Sequence, residues 1–459
     1  MKRYLFPLFL LLALILCVIP LLSACTDATD ASSPATDTST TTETVHSPNE
    51  TTAKVESETE TEAITEDPYP NAISPDALGQ PQITYDCQDD SVLKTYENQS
   101  PEAFRNLCDH YLKNGYDLYA ASTKNGNLFE TYVKDGAFAH IYFFPQKSEL
   151  NLVTSETAGT SLPPKQPAVT AGDHPVTVTQ MKDTAHVNGM GYIIQLADGS
   201  FIIYDGAYAE QTRPIYNFLK DAAGDGEILI RAWVLTHSHN DHYPTFRTFS
   251  KRYADKVKIE HVIIAPIDPE TAVAHGGDKY LNTEVHESIA AFEGAKAVYA
   301  HTGMTFTFCN LKMEILMTAD DVYKNDNHGN YFNNSSIVSR LFDDNYSAIF
   351  LGDIGMQGTD LMEELYGDYL QSNMCQISHH GVEDVPLHFY ERVKASILFY
   401  PCNLWLYDQT ERHWDVRKAL EERDYTKEIL IAGLGQYTRP WGTTFEKDAP
   451  LSMPDYPTT

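Results

Sequence analysis

Within six positions the chain carries three imidazoles and a carboxylate, His237, His239, Asp241 and His242, directly after the apolar run Ala232, Trp233, Val234, Leu235. At the end of a strand, side chains two positions apart leave on one face. His237 and His239 can therefore converge on one metal ion, while the turn that follows swings Asp241 and His242 toward a second ion beside it. A His-rich tract can also bind metal adventitiously without catalysis. Here the fixed spacing on a strand end supplies the rigid platform that a working site requires. The chemistry expected is that of a two-metal hydrolase, in which two divalent ions lower the pKa of bound water from 15.7 to about 7 and polarise the oxygen under attack. No serine or cysteine nucleophile is needed.

This pattern resembles the metallo-β-lactamase-fold hydrolase superfamily, and the resemblance runs through most of residues 175 to 445. Gly191 to Leu196 and Phe201 to Asp205 read as a hairpin across an Asp-Gly turn. Its end, Tyr204 to Ala207, looks like the first motif of the superfamily, which implies that Asp205 braces the histidine loop. The sequence alone also admits Asp205 as the cap of a helix from Thr212 to Lys220. Gly352-Asp353 after the strand Tyr346 to Leu351 is similar to the Gly-Asp step whose carboxylate bridges both metals. His379-His380-Gly381 matches the terminal His-His-Gly, which implies His380 as a ligand and His379 as a neighbour that could contact the leaving group, with their order open. For the remaining imidazole the chain offers His261, His275, His286, His301 and His328. His328 is chosen because it stands before the strand Ile337 to Leu341. The implied metal set is His237, His239, Asp241, His242, His328, Asp353 and His380, with Asp241 and His379 catalytic. Zinc, two ions per chain, suits an imidazole-rich and thiolate-free set, while manganese or iron would tolerate the carboxylates.

The elements that must hold these residues imply an α/β fold, a four-layer αββα sandwich of two mixed sheets over residues 175–459. After His380 a helix near Leu387 to Val393, a strand Ser396 to Tyr400, a helix Trp414 to Arg423 and a strand Glu428 to Ala432 are expected. This tail resembles competence-type, phosphodiester-cleaving members, with His413 opening the last helix either toward the pocket or at the surface. Residues 81–160 read as a separate small α+β domain. Its helix Pro101 to Asn114 is capped by Ser100, and its strands are Tyr116 to Ala121, Leu128 to Val133, Phe138 to Phe144 and Leu150 to Thr154. Ala158 to Pro175 is the linker.

At the N-terminus Lys2 and Arg3 precede an apolar run from Leu5 to Leu22, then Ser23, Ala24 and Cys25. Charged start, apolar middle and small residues describe a secretory signal peptide over 1–25. Leu22 to Cys25 resembles a bacterial lipobox, which implies lipid attachment at Cys25. An uncleaved membrane anchor is the alternative, and either places the protein outside the cytoplasmic membrane. Residues 26–80, rich in Thr, Ser, Glu and Asp, cannot bury enough apolar surface to offset chain entropy and read as a disordered tether. The tether holds twelve acids against one lysine and the leader two basic residues, so the chain's net −31 leaves −22 for residues 81–459. With no basic stripe to release counterions, long nucleic acid is a poor substrate. A small molecule is expected instead.

Besides Cys25 the mature chain keeps Cys87, Cys108, Cys309, Cys375 and Cys402. They show no Cys-x-x-Cys spacing, which argues against a structural zinc site. Cys87 and Cys108 are a possible disulfide in an oxidising compartment, and Cys375 reads as a buried strand residue. Fold does not choose among the superfamily's substrates. Asp353 at the bridge, the His-His-Gly motif and the phosphodiesterase-like tail favour a phosphoester over the alternatives, which are a lactone or β-lactam hydrolase and a non-catalytic metal-binding lipoprotein. The 28 tyrosines would suit a cage for a cationic head group but read mainly as packing.

Overall fold

Tight turns at Gln88–Asp90, Asn125–Gly126, Asp135–Gly136 and Pro145–Ser148 separate short strands within residues 83–155 that pair antiparallel. The computed structural model describes residues 67–165, 173–184, 188–274, 284–322, 331–382, 385–409 and 414–455. The strands are β1 (Ile83–Asp86), β2 (Val92–Tyr96), β3 (Asp117–Lys124), β4 (Asn127–Lys134), β5 (Ala137–Phe144) and β6 (Glu149–Ser155), in the order β1-β2-β6-β5-β4-β3. One face, with Tyr132, Ile141, Phe143 and Leu152, packs on Phe104, Leu107 and Tyr111 of helix α1 (Pro101–Lys113). Ser100 Oγ caps α1 by accepting from Ala103 N at 3.1 Å, as the sequence indicates. Residues 67–80, upstream of the expected boundary at 81, lie against α1. Ile73 N donates to Asn106 O at 3.0 Å, and Leu78 packs on the same cluster.

The other face of this sheet is buried too. Leu93, Phe129, Phe138, Tyr142 and Phe144 share one continuous core with Met304, Phe306 and Leu316 of the following part of the chain. The approach is close at Gly303, whose φ is +95° and where a Cβ would lie 1.8 Å from the Phe129 ring. Only glycine fits there. Cys87 faces this core and Cys108 the α1 side, so the sheet stands between them and both are free thiols. The Cys87–Cys108 pairing is thereby corrected.

Residues 177–440 form two mixed sheets. The first holds β7 (Thr177–Gln180), β8 (Gly191–Gln195), β9 (Phe201–Asp205), β10 (Leu229–Val234), β11 (Lys258–Ile264), β12 (Lys296–Tyr299) and β20 (Tyr437–Pro440), in the order β12-β11-β10-β9-β8-β7-β20. The second runs from β13 to β19 in chain order: β13 (Thr305–Phe308), β14 (Leu311–Met317), β15 (Val338–Phe342), β16 (Ser347–Phe350), β17 (Met374–Gln376), β18 (Ile397–Tyr400) and β19 (Glu428–Ile431). Each is parallel on one side, β9 to β12 and β16 to β19, and antiparallel on the other. Along β8 to β10 alternate residues serve different layers. Tyr192, Ile194, Tyr204 and Val234 face the second sheet, where Tyr204 stacks on Phe350 at 4.1 Å. Ile193, Ile203 and Trp233 meet Ile215, Phe246 and Phe249 of the outer helices α2 (Thr212–Ala223) and α3 (Pro244–Tyr253). Burial on both faces is why these strands read as unbroken apolar runs. The helices Met356–Tyr366 and Leu387–Val393 contribute Met362, Tyr366, Phe389 and Val393 to the core of the second sheet. The result is the four-layer αββα sandwich expected from the sequence.

Candidate metal centre

The parallel strands β9 and β10 end side by side, and Asp205 at the end of β9 fixes the loop that leaves β10. Its Oδ1 accepts from Thr236 N and its Oδ2 from Thr236 Oγ1, both at 2.7 Å. Oδ2 also accepts from His242 Nδ1 at 2.7 Å. Asp205 is fully buried, and Gln211 rather than Asp205 precedes α2, so it is a brace and not a helix cap. The loop then turns tightly, with His242 N donating to His239 O at 3.1 Å, and Pro244 opens α3.

Two loops of the second sheet meet this one. After β16 the chain reverses at Gly352, with φ +57°, where a Cβ would lie 2.7 Å from Ser336 Cβ. Asp353 follows, and its N–H donates to Ser336 Oγ at 3.1 Å. After β17, His379 N donates to Gly352 O at 3.2 Å. His379 and His380 both adopt left-handed backbone, with φ 44° and 56°. Such residues cost about 1–3 kcal/mol each and persist where surroundings over-determine them. His380 Nδ1–H is fixed by Pro401 O at 2.7 Å.

The side chains form two donor sets. Asp241, His242, Asp353 and His380 each offer one ligand atom within 4.8 Å of the others, and so do His237, His239 and Asp353. Asp353 belongs to both. Its Oδ2 lies 3.1 Å from His242 Nε2, 3.5 Å from His380 Nε2 and 3.8 Å from His237 Nε2. His237 Nε2 and His239 Nδ1 face each other at 3.0 Å. Asp205 and Pro401 O hold the Nδ1 sides of His242 and His380, so the Nε2 sides of both rings point at carboxylate oxygens. His380 Nε2 stands 3.2 Å from Asp241 Oδ2 without hydrogen-bond geometry, and Asp353 Oδ1 is buried with no donor among the described residues. Imidazole nitrogens and anionic oxygens converging in a buried space call for positive charge between them. Two divalent cations fit that requirement and the imidazole–carboxylate donor chemistry.

The carboxylates themselves draw that positive charge. Burial by itself would lower the His242 pKa, yet Asp353 and Asp205 hold it well above the usual range. Burial would raise Asp353, but His242, His380 and His379 hold it well below. His237 is pushed well down by burial and by His242 beside it. It stays a neutral donor, the form a metal binds.

Six of the residues singled out by sequence, His237, His239, Asp241, His242, Asp353 and His380, are thus brought together. His379 stands beside them, its Nε2 3.8 Å from Asp353 Oδ2 and its ring within 3.3 Å of Asn333 Nδ2. It keeps a fifth of its side-chain surface exposed, against 2% for His380, which fixes the order of the pair: His380 inside, His379 at the mouth. His261 is a buried strand residue bonded to Arg231 O at 3.1 Å, and His286 pairs with Tyr299 Oη at 2.8 Å; neither joins the centre. His275, His328, His413 and Cys25 lie outside the described residues. Sequence reasoning overlooked Thr236, Ser336 and Asn333, which orient the histidines and Asp353. The polar run Asn333 to Ser336 within a buried stretch is the signal that could have found the last two. Behind His380, Tyr390, Tyr400 and Tyr407 line a pocket with Arg417. There Tyr390 Oη accepts from Ser378 N at 3.2 Å, and Tyr407 Oη donates to Glu421 at 3.0 Å.

No family model and no curated protein matches the sequence. Among solved structures, the chain is similar to the metallo-beta-lactamase fold protein YhfI from Bacillus subtilis, at 11% identity over 58% of this chain and 100% of that one, with a TM-score of 0.38. It is similar to a possible metal-dependent hydrolase from Veillonella parvula, at 8% identity over 57% of this chain and 87% of that one, with a TM-score of 0.29. A third likeness is to CmlA, a diiron beta-hydroxylase from Streptomyces venezuelae, at 11% identity over 59% of this chain and 46% of that one, with a TM-score of 0.30.

Proposed function

We propose that the chain is a dinuclear metal-dependent hydrolase of the metallo-β-lactamase type. It acts on a phosphoester or related small molecule, outside the cytoplasmic membrane, as a lipoprotein anchored at Cys25. One observation carries the reading: two donor sets meet at a single buried carboxylate, Asp353, whose second oxygen has no donor among the described residues. When bound, paired divalent ions supply a water acidic enough to attack at neutral pH and polarise the oxygen of the scissile group.

The chain's own residues do the rest. Asp205, Thr236 and Pro401 O hold the ring orientations, so little reorganisation is required when charge develops. Asp241, with a quarter of its side chain exposed, faces the space shared with His380 and is placed to take the proton of the attacking water. His379, at the mouth, is placed to give a proton to the leaving oxygen. The phosphoester class is supported by the carboxylate at the shared position, by the His-His-Gly motif and by the tail's resemblance to phosphodiester-cleaving members. The acidic body supports a small substrate over a polyanion.

Purified protein should carry about two divalent ions at the centre and hydrolyse bis-p-nitrophenyl phosphate, and Asp353→Ala should lose both properties. Bound metal with no turnover of phosphodiester, lactone or β-lactam probes would leave a metal-binding lipoprotein instead. Turnover of the lactone or β-lactam alone would overturn the substrate class.

A further inference from the structure

Where the antiparallel sheet docks on the sandwich, three side chains from distant segments converge. Cys87 stands in the turn between β1 and β2, His301 follows β12, and Asp320 lies in the short helix Ala319–Val322 after β14. One ligand atom of each lies within 4.8 Å of the others, and the residues are 4%, 2% and 3% exposed. None of them belongs to the centre described above.

The imidazole is the informative member. His301 Nδ1 sits 3.1 Å from Asp320 Oδ2, while Nε2 is buried with no hydrogen-bond partner among the described residues. In any protonation state an imidazole so placed leaves one nitrogen unsatisfied, which costs about 1–3 kcal/mol. Asp89, in the same turn as Cys87, has a buried Oδ1 that also lacks a donor. The Cys87 thiol lies 3.9 Å from Tyr85 O and near the backbone of Leu93.

We propose that Cys87, His301 and Asp320 form a second, structural metal site for a zinc-class divalent cation, tying the N-terminal sheet to the sandwich. One thiolate, one imidazole and one carboxylate are borderline donors suited to zinc in tetrahedral geometry. Two anionic donors neutralise a dication in this dry setting, and the fourth position goes to Asp89 or water. Binding releases the Cys87 thiol proton to solvent. Such a site leaves no Cys-x-x-Cys trace because each donor comes from a different segment.

Cobalt loading of the full chain tests it, since the described donors of the first centre include no sulfur. The cobalt protein should show a thiolate-to-cobalt charge-transfer absorption that persists in Asp353→Ala and vanishes in Cys87→Ser. Cys87→Ser should also lose one metal equivalent while keeping the hydrolytic rate of the parent. A cobalt protein without that absorption, or one whose absorption survives Cys87→Ser, overturns the site. Should Cys87→Ser fail to fold, the Asp353→Ala chain decides, its absorption retained in support or lost in refutation. Because the readout is sulfur ligation, it stands whether or not the first centre proves hydrolytic.

Discussion

Asp205 is fully buried, and three side-chain hydrogen bonds make it the residue on which the histidine loop turns. Partners of this kind hold ligand tautomers, and their loss lowers metal affinity about 10–100-fold. Asp205→Asn keeps the shape but sets an amide donor against Thr236 N–H or His242 Nδ1–H. Chelator competition should show a loss in that range with the far-ultraviolet dichroism of the parent, and affinity within twofold of the parent would mean that Asp205 is not the brace. At this scale the sequence was legible where chemistry is local. His237 to His242 is a contiguous spacing, and Asp205, Asp353 and His380 followed from strand ends that resemble known motifs. What stayed hidden depends on tertiary placement. Thr236, Ser336 and Asn333 are small polar residues with no period of their own. Likewise, the order of His379 and His380 is set by Pro401 O, a backbone atom that no side-chain pattern reports.

Between elements the informative contact is the seam of sheet and sandwich. Four of its strands and α1 were readable from alternation, whereas β1 and β2 were not, because Ile83–Asp86 and Val92–Tyr96 are short and partly polar. Nor could alternation say that the second face of the sheet meets Met304 and Phe306 rather than water. Lys124 marks this seam. It is fully buried, its Nζ donates to Gly303 O at 3.0 Å, and the Phe129 ring lies 4.2 Å from it. Burial lowers its pKa to about 8, although Glu314 works in the opposite direction. Between that value and the ordinary Lys pKa of about 10.4 the unfolded chain holds more protons, so folding gains stability as pH rises through the window, on the order of 1 kcal/mol per pH unit. Below about 8 both states are protonated and the gain is absent. Urea unfolding across this range should therefore show a rising slope in the parent that is flattened in Lys124→Met. Parallel curves for the two proteins would mean that Lys124 does not titrate there.

Residues 26–80 carry a net −11 and residues 81–459 a net −22, so both parts of the sequence are acidic. Membrane surfaces rich in anionic lipid attract basic segments, each Lys or Arg contributing about 1 kcal/mol, and repel acidic ones within a Debye length. Residues 81–459 stay net acidic even with the basic run Arg247, Lys251, Arg252, Lys256 and Lys258. Among the described residues no helix is long and apolar enough to cross a membrane. Attachment therefore has one source in the proposed reading, the acyl chains on Cys25, and two such chains suffice for stable anchoring. In cells expressing the full chain, Cys25→Ser should move the protein from the membrane fraction when the leader is still cleaved, and low salt should not hold it back, because charge opposes adsorption. The competing arrangement behaves differently: if Leu5 to Leu22 stays in place as an uncleaved anchor, Cys25→Ser leaves the protein in the membrane at its unprocessed size. Fractionation with a size readout separates the two, and retention of the uncleaved chain would overturn the lipid anchor while leaving the metal centre untouched.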